Sequence, residues 1–223
     1  MTALAQDEED SLAATEPASV ATKGLFVVFE GVDGTGKSTV SRMVHSELLR
    51  ELPGRVILTA EPSDSWLGDC VRRANAEDVG PFAEALLFMA DRAEHTRQIA
   101  SWLDQGNVVI CDRYYASTLA YQGALLKEAM GAKKAVEWLK EVNRPIIIQP
   151  DLTILLTMKV SAALERLKSR KGKTKFESME YLQDVDLIYR GLAMEDASLH
   201  TLDASRSAGQ VTQDALRLIR NKL

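Results

Sequence analysis

The run Gly31-Val32-Asp33-Gly34-Thr35-Gly36-Lys37-Ser38-Thr39 carries the spacing of a phosphate-binding loop, G-x-x-x-x-G-K-[ST] from Gly31 to Ser38. Its glycines let backbone N–H groups turn inward around a phosphate. Lys37 supplies a point charge for the outer phosphates of a nucleoside triphosphate, and Ser38 a hydroxyl for Mg²⁺. A second group is Asp112-Arg113: a carboxylate placed to reach Mg²⁺, directly or through water, beside a guanidinium placed to hold an anion. A third is Ser117-Thr118-Leu119-Ala120-Tyr121-Gln122. On a helix, Thr118, Tyr121 and Gln122 fall on neighbouring faces and offer a ring, a hydroxyl and an amide to a flat nucleobase and its sugar. A tyrosine at that spacing is more often core. A fourth is the basic run from Glu165 to Lys175. Such a run is usually a solvated face. Its place after the fourth strand suits a lid that covers triphosphate and excludes water.

The elements that must position these groups follow from apolar patterning. Strands are expected at Leu25–Glu30, Arg55–Thr59, Asn107–Cys111, Leu152–Met158 and Ser198–Leu202, with near-continuous apolar runs as in buried parallel strands. A helix is expected from Val40 to Leu49, stopped by Pro53-Gly54, and a long one from near Pro81 to Gly106 with Phe82, Leu86, Met89, Ala93 and Ile99 along it. Strand and helix alternate, which predicts a three-layer α/β/α fold on a five-stranded parallel sheet. Ligands of such sheets gather beyond the carboxyl ends of the strands, where the loop from Gly31 and the pair Asp112-Arg113 both fall.

Composition bounds the function classes. The chain has 223 residues and a net charge of −5. Residues 1–22 hold five acidic residues and no Lys or Arg, so the remainder is neutral and offers no global basic field for nucleic acid. That acidic stretch is read as a disordered tail, and 23–223 as one domain with a basic lid near 166–176. Two cysteines, Cys70 and Cys111, argue against a disulfide scaffold, and Cys111 reads as a small buried hydrophobe. The histidines show no ligand spacing, and His95 is expected on a solvated helix face. No apolar run reaches a membrane span, and the first residues lack signal-peptide character, so a cytoplasmic location is the expectation.

Together, FEGVDGTGKST, LLFMADRAEH, DRYYASTLAYQG and TLDAS resemble, in order, the motifs of the thymidylate kinase family of P-loop nucleoside monophosphate kinases. The resemblance covers about Leu25 to the C-terminus. It implies the P-loop NMP-kinase type of fold and the reaction ATP plus dTMP to ADP plus dTDP, with Mg²⁺, in nucleotide biosynthesis. It implies an ATP site of Gly31, Asp33, Gly34, Thr35, Gly36, Lys37, Ser38 and Thr39. Lys37 would meet the transferring phosphate, with Ser38 and Asp112 at the metal. Asp33 would meet the acceptor's 3′-hydroxyl, Phe88 would stack on thymine, and Arg92 would bind the base edge. Arg113 would hold the acceptor phosphate, with Ser117, Thr118 and Gln122 lining the site. Tyr121 would pack near C2′, where a ribose hydroxyl clashes. The resemblance also implies a homodimer.

Two departures matter. No arginine lies inside the phosphate loop, so the compensating charge is assigned to the lid, to Arg166 and Arg170, with Lys173 beside them. Many bacterial members read R-E-P-G after the second strand; here it is Ala60-Glu61-Pro62-Ser63, and Arg72 or Arg73 is the nearest substitute by spacing. The alternatives are a kinase for another nucleotide or nucleoside, and a P-loop switch. A guanine-specific switch would carry Asn-Lys-x-Asp, whereas Asn221-Lys222 stands at the chain's end with no following Asp.

Overall fold

The computed structural model describes residues 23–77, 79–168 and 178–223. The acidic tail 1–22, Arg170, Lys173 and most of the expected lid lie outside the described residues. Five strands, β1 (Leu25–Glu30), β2 (Val56–Ala60), β3 (Val108–Asp112), β4 (Leu152–Thr157) and β5 (Leu199–Asp203), form one parallel sheet in the order β2-β3-β1-β4-β5. β2, β3 and β5 each run one residue later than the apolar pattern indicates. Ladder pairing continues through the residue at the carboxyl end, as in Ala60↔Asp112 and Thr157↔Asp203. α1 (Lys37–Glu51) begins three residues before the expected Val40, because Gly36 in left-handed conformation (φ 93°) lets the chain turn directly into it.

Side chains alternate across β1 with period two. Leu25, Val27 and Phe29 pack with Val40, Val44 and Leu48 of α1 and with Leu216 and Ile219 of α8 (Ala208–Arg220). Phe26 and Val28 face the other way, towards Ile99 of α3 (Pro81–Asp104) and Tyr114. That second face also holds α4 (Tyr115–Met130), α5 (Ala132–Asn143) and α7 (Met179–Glu195). The three layers are therefore those expected. α3 differs in which side it buries: Phe82 and Leu86 are exposed, while Glu84, Asp91, Arg92 and His95 are buried. The apolar spacing marks the buried face only in part: Met89 and Ile99 are buried, but polar residues share that face with them.

Candidate active site

Register brings the chemistry-bearing segments to one edge. Phe29 pairs with Asp112, and Asp112 with Ala60, so three strands end level. The chain leaves them side by side: Arg113 donates its backbone N–H to Phe29 O (2.9 Å), and Glu61 its own to Asp112 O (3.1 Å). The phosphate loop is pinned on its other flank. A Cβ on Gly34 (φ 88°) would lie 2.2 Å from the Ala163 carbonyl oxygen of α6 (Val160–Lys168), so only glycine fits there.

Lys37 is buried, donating from Nζ to Val32 O (2.9 Å) and lying 3.9 Å from Asp33. Burial, with the Arg113 charge nearby, pulls its ammonium down to about 8, against the opposing pull of Asp33, Asp112 and Glu30. Arg113 has φ 74°, a conformation uncommon for a residue with a side chain. Its guanidinium is ion-paired to Asp33, donates to Ser117 Oγ (3.1 Å) and lies 4.9 Å over the Tyr121 ring. Burial would raise the Asp33 carboxyl, yet Arg113 and Lys37 hold it below its ordinary value. Tyr121 Oη accepts the Asp33 backbone N–H (2.9 Å), tying α4 to the phosphate loop.

Two cavities meet here. One, of about 240 Å³, is lined by the phosphate loop with Lys37, Ser38, Thr39, Arg42 and Arg113. The other, of about 150 Å³, takes Phe88, Ser117, Tyr121 and Gln122 from the expected set, and adds Glu61, Pro62 and Asn75. Asp33 and Arg113 line both. A third cavity, of about 330 Å³, shares Gly34, Gly36 and Thr39 with the first and carries Arg166 and Arg206. Arg166 there donates to Ala204 O (3.2 Å). Thus Lys37 and Arg113 share one space, and Arg166 lines the adjoining one.

Arg92 and Thr118 lie behind the wall rather than on it. Both are 1% exposed. Arg92 donates to Thr118 Oγ1 (2.9 Å), Asn143 Oδ1 (3.1 Å), Glu61 (2.5 Å) and Tyr114 O (3.2 Å), so its terminal nitrogens are engaged. Its Nε has no partner among the described residues. His95 is corrected by the structure: it is buried, 2.7 Å from Thr59 Oγ1 and 3.2 Å from Glu61. The buried Glu61 carboxylate needs partners on both oxygens, and His95 and Arg92 provide them. Arg73 is paired to Glu77 on the surface, while Arg72 reaches Pro62 O (3.3 Å) and Asp69 (2.8 Å); neither lines the acceptor-side cavity.

Sequence reasoning missed Glu30. It is fully buried, and its two oxygens accept the backbone N–H groups of Tyr114 and Ser117 (3.0 Å each) and the hydroxyls of Ser117 (2.6 Å) and Tyr189 (2.8 Å). No side chain of its own caps α4, so this β1 carboxylate does. Burial pushes the Glu30 carboxyl above its ordinary value despite those bonds. The signal was present: an acidic residue closes an otherwise apolar strand.

A divalent ion fits at Ser38 and Asp112. Asp112 Oδ1 is buried and lacks a partner among the described residues, and it shares a cavity of about 650 Å³ with the exposed Ser38. Among the described residues no three His, Cys, Asp or Glu side chains cluster. Two oxygen donors together with a ligand's phosphates suit Mg²⁺, which is held that way in phosphate-handling sites.

Known proteins resemble this chain in sequence and fold. The family model described as Thymidylate kinase matches residues 29–215. A probable thymidylate kinase of Methanococcoides burtonii is 37% identical over 199 residues, covering 88% of this chain and 96% of the relative. One from Pyrococcus horikoshii is 38% identical over 90% of this chain and 98% of its own length. The crystal structure of thymidylate kinase from Ehrlichia chaffeensis superposes with a TM-score of 0.69 at 26% identity, covering 88% of this chain and 98% of that one. With the phosphate loop, the Asp-Arg pair and the facing cavity in one site, the chain belongs to the thymidylate kinase family.

Proposed function

We propose that the protein transfers the terminal phosphoryl group of ATP to dTMP, giving ADP and dTDP. The observation that carries this reading is the shared wall: Asp33 and Arg113 face both the phosphate-loop cavity and the one holding Phe88, Tyr121 and Gln122. Two polyanions bound there meet head to head. Holding them so contributes roughly 7–11 kcal/mol. Lys37, buried, and Arg113, partly buried, cancel their repulsion. The acceptor phosphate is already ionised, so no general base is required. Mg²⁺, when bound, screens charge on the triphosphate oxygens, with Ser38 and Asp112 as its protein donors. Arg166 and Arg170 carry the lid role, with Arg166 lining the cavity that adjoins the phosphate loop. Phe88 offers a stacking face, and Arg92 holds the wall through Thr118 and Glu61.

The test is a panel of nucleoside monophosphates and nucleosides with ATP and Mg²⁺, read as ADP release. dTMP is expected to give the highest kcat/KM. A purified, folded protein that prefers CMP, AMP or a free nucleoside would replace this reading by the corresponding kinase. One that hydrolyses ATP with no response to any acceptor would point to a nucleotide switch.

Lys37 makes the donor step pH-dependent. Its ammonium titrates near 8 in the free protein, and a bound triphosphate favours the charged form, so its value rises in the complex. The complex then binds more protons than the free protein around pH 8, and affinity for ATP falls as pH rises through that value. Calorimetry in buffers of different ionisation enthalpy is expected to show uptake of about half a proton per ATP at pH 8. No uptake between pH 7.5 and 9 would remove Lys37 as the titrating group.

The proposal includes a homodimer in the cytoplasm. Trp66, Phe82 and Leu86 are large exposed side chains on α2 (Trp66–Glu77) and α3 that such an interface would cover. Among the described residues no helix is long and apolar enough to cross a membrane.

A further inference from the structure

Arg113 is held from two sides. On one it is ion-paired to Asp33. On the other its Nη1 donates to Ser117 Oγ (3.1 Å) and to Gly31 O (3.4 Å). A guanidinium carries only donors, so Ser117 must meet it with a lone pair. A serine hydroxyl has a single hydrogen, and here that hydrogen has to point elsewhere.

Glu30 decides where. Ser117 Oγ donates to Glu30 Oε2 at 2.6 Å, and Tyr189 Oη donates to the same oxygen at 2.8 Å. The other oxygen accepts the backbone N–H groups of Tyr114 and Ser117, at 3.0 Å each. The carboxylate is fully buried, and hydrogen bonds to a charged acceptor are the strong ones. Glu30 also stands directly before Gly31, so the strand that launches the phosphate loop also fixes the arginine facing that loop. Tyr189 brings α7 to the same carboxylate.

We propose that Glu30 is a positioning residue for the acceptor step: by taking the Ser117 hydrogen it turns a Ser117 lone pair towards Arg113 and so holds that guanidinium for the acceptor phosphate. This rests on the kinase reading above. Glu30→Gln reverses the polarity with little change of shape. The amide oxygen keeps the two backbone N–H groups, so α4 stays capped. The amide nitrogen, a donor, then meets Ser117 Oγ and Tyr189 Oη. The Ser117 hydrogen is displaced towards Arg113, donor against donor.

The test is a double-mutant cycle on Glu30→Gln and Ser117→Ala, with ATP and dTMP each varied in turn and melting followed on the same preparations. Glu30→Gln is expected to raise KM for dTMP about tenfold and lower kcat about threefold, with KM for ATP within about threefold of wild type. Ser117→Ala is expected to lower kcat/KM for dTMP about tenfold. The double variant is expected within about threefold of Glu30→Gln alone, against the roughly 300-fold loss that independent effects would multiply to. Should Glu30→Gln fold too poorly to assay, Glu30→Asp, which withdraws the carboxylate by one methylene, takes its place in the same cycle. A folded Glu30 variant that melts lower but keeps KM for dTMP would make the carboxylate a helix cap alone, and the proposal fails. A double variant that shows the full multiplied loss would mean that Glu30 does not act through Ser117, and the proposal fails likewise. If wild type turns over no dTMP, it is the kinase reading that falls, and this inference with it.

Discussion

Arg113→Lys is expected to lower kcat/KM for dTMP by about a thousandfold while KM for ATP stays within about threefold. The loss corresponds to about 4 kcal/mol of transition-state stabilisation. The reason is shape rather than charge. The guanidinium pairs with Asp33, donates to Ser117 Oγ at 3.1 Å and reaches Gly31 O at 3.4 Å, all while lying over the Tyr121 ring. An ammonium on a flexible stem keeps the charge but cannot hold those directions at once. The left-handed backbone at Arg113 (φ 74°) aims the side chain back across the phosphate loop, and this strain is retained in the lysine variant. Steady-state kinetics with each substrate varied in turn makes the measurement. A lysine variant within tenfold of wild type for dTMP would show that any cation suffices and that the shared wall has no directional role.

The fold was legible because each of its signals is local. Leu25–Glu30 is an apolar run followed by a glycine loop, and that pair alone places β1, the loop and α1. Ladder hydrogen bonds then bring Asp112 level with Phe29, which strand patterning implies but does not register. The site was legible where its residues carry unusual chemistry at fixed spacing, as in Lys37, Arg113 and Tyr121. It was not legible where pairing across the fold decides the role. His95 reads as a surface helix residue until Glu61, 34 residues away, is seen against it. Arg92 reads as a base ligand by resemblance, yet four groups from four segments occupy its terminal nitrogens. Glu30 caps a helix 84 residues distant, which no window on the sequence contains.

Lys37→Met tests the other half of the shared wall, and it is expected to separate catalysis from folding. Turnover should fall by about a thousandfold or more, because the one lysine charge on the phosphate loop is lost from a buried position on the cavity wall. Stability should not fall with it. The ammonium is buried and its ordinary value is depressed, so the folded chain gains little from holding it charged. Methionine fills a similar volume without that desolvation. Asp33 keeps its partner Arg113, and Val32 O keeps the Thr35 hydroxyl at 2.8 Å, so no buried group is orphaned by the change. A melting temperature within about 3 °C of wild type is expected, with the ATP-linked proton uptake near pH 8 abolished. Calorimetry and initial rates on one preparation check both halves. Wild-type turnover in the methionine variant would take the transferring phosphate away from Lys37. A collapse of melting temperature would instead mean that the buried ammonium holds the loop together, and that the charge is structural before it is catalytic.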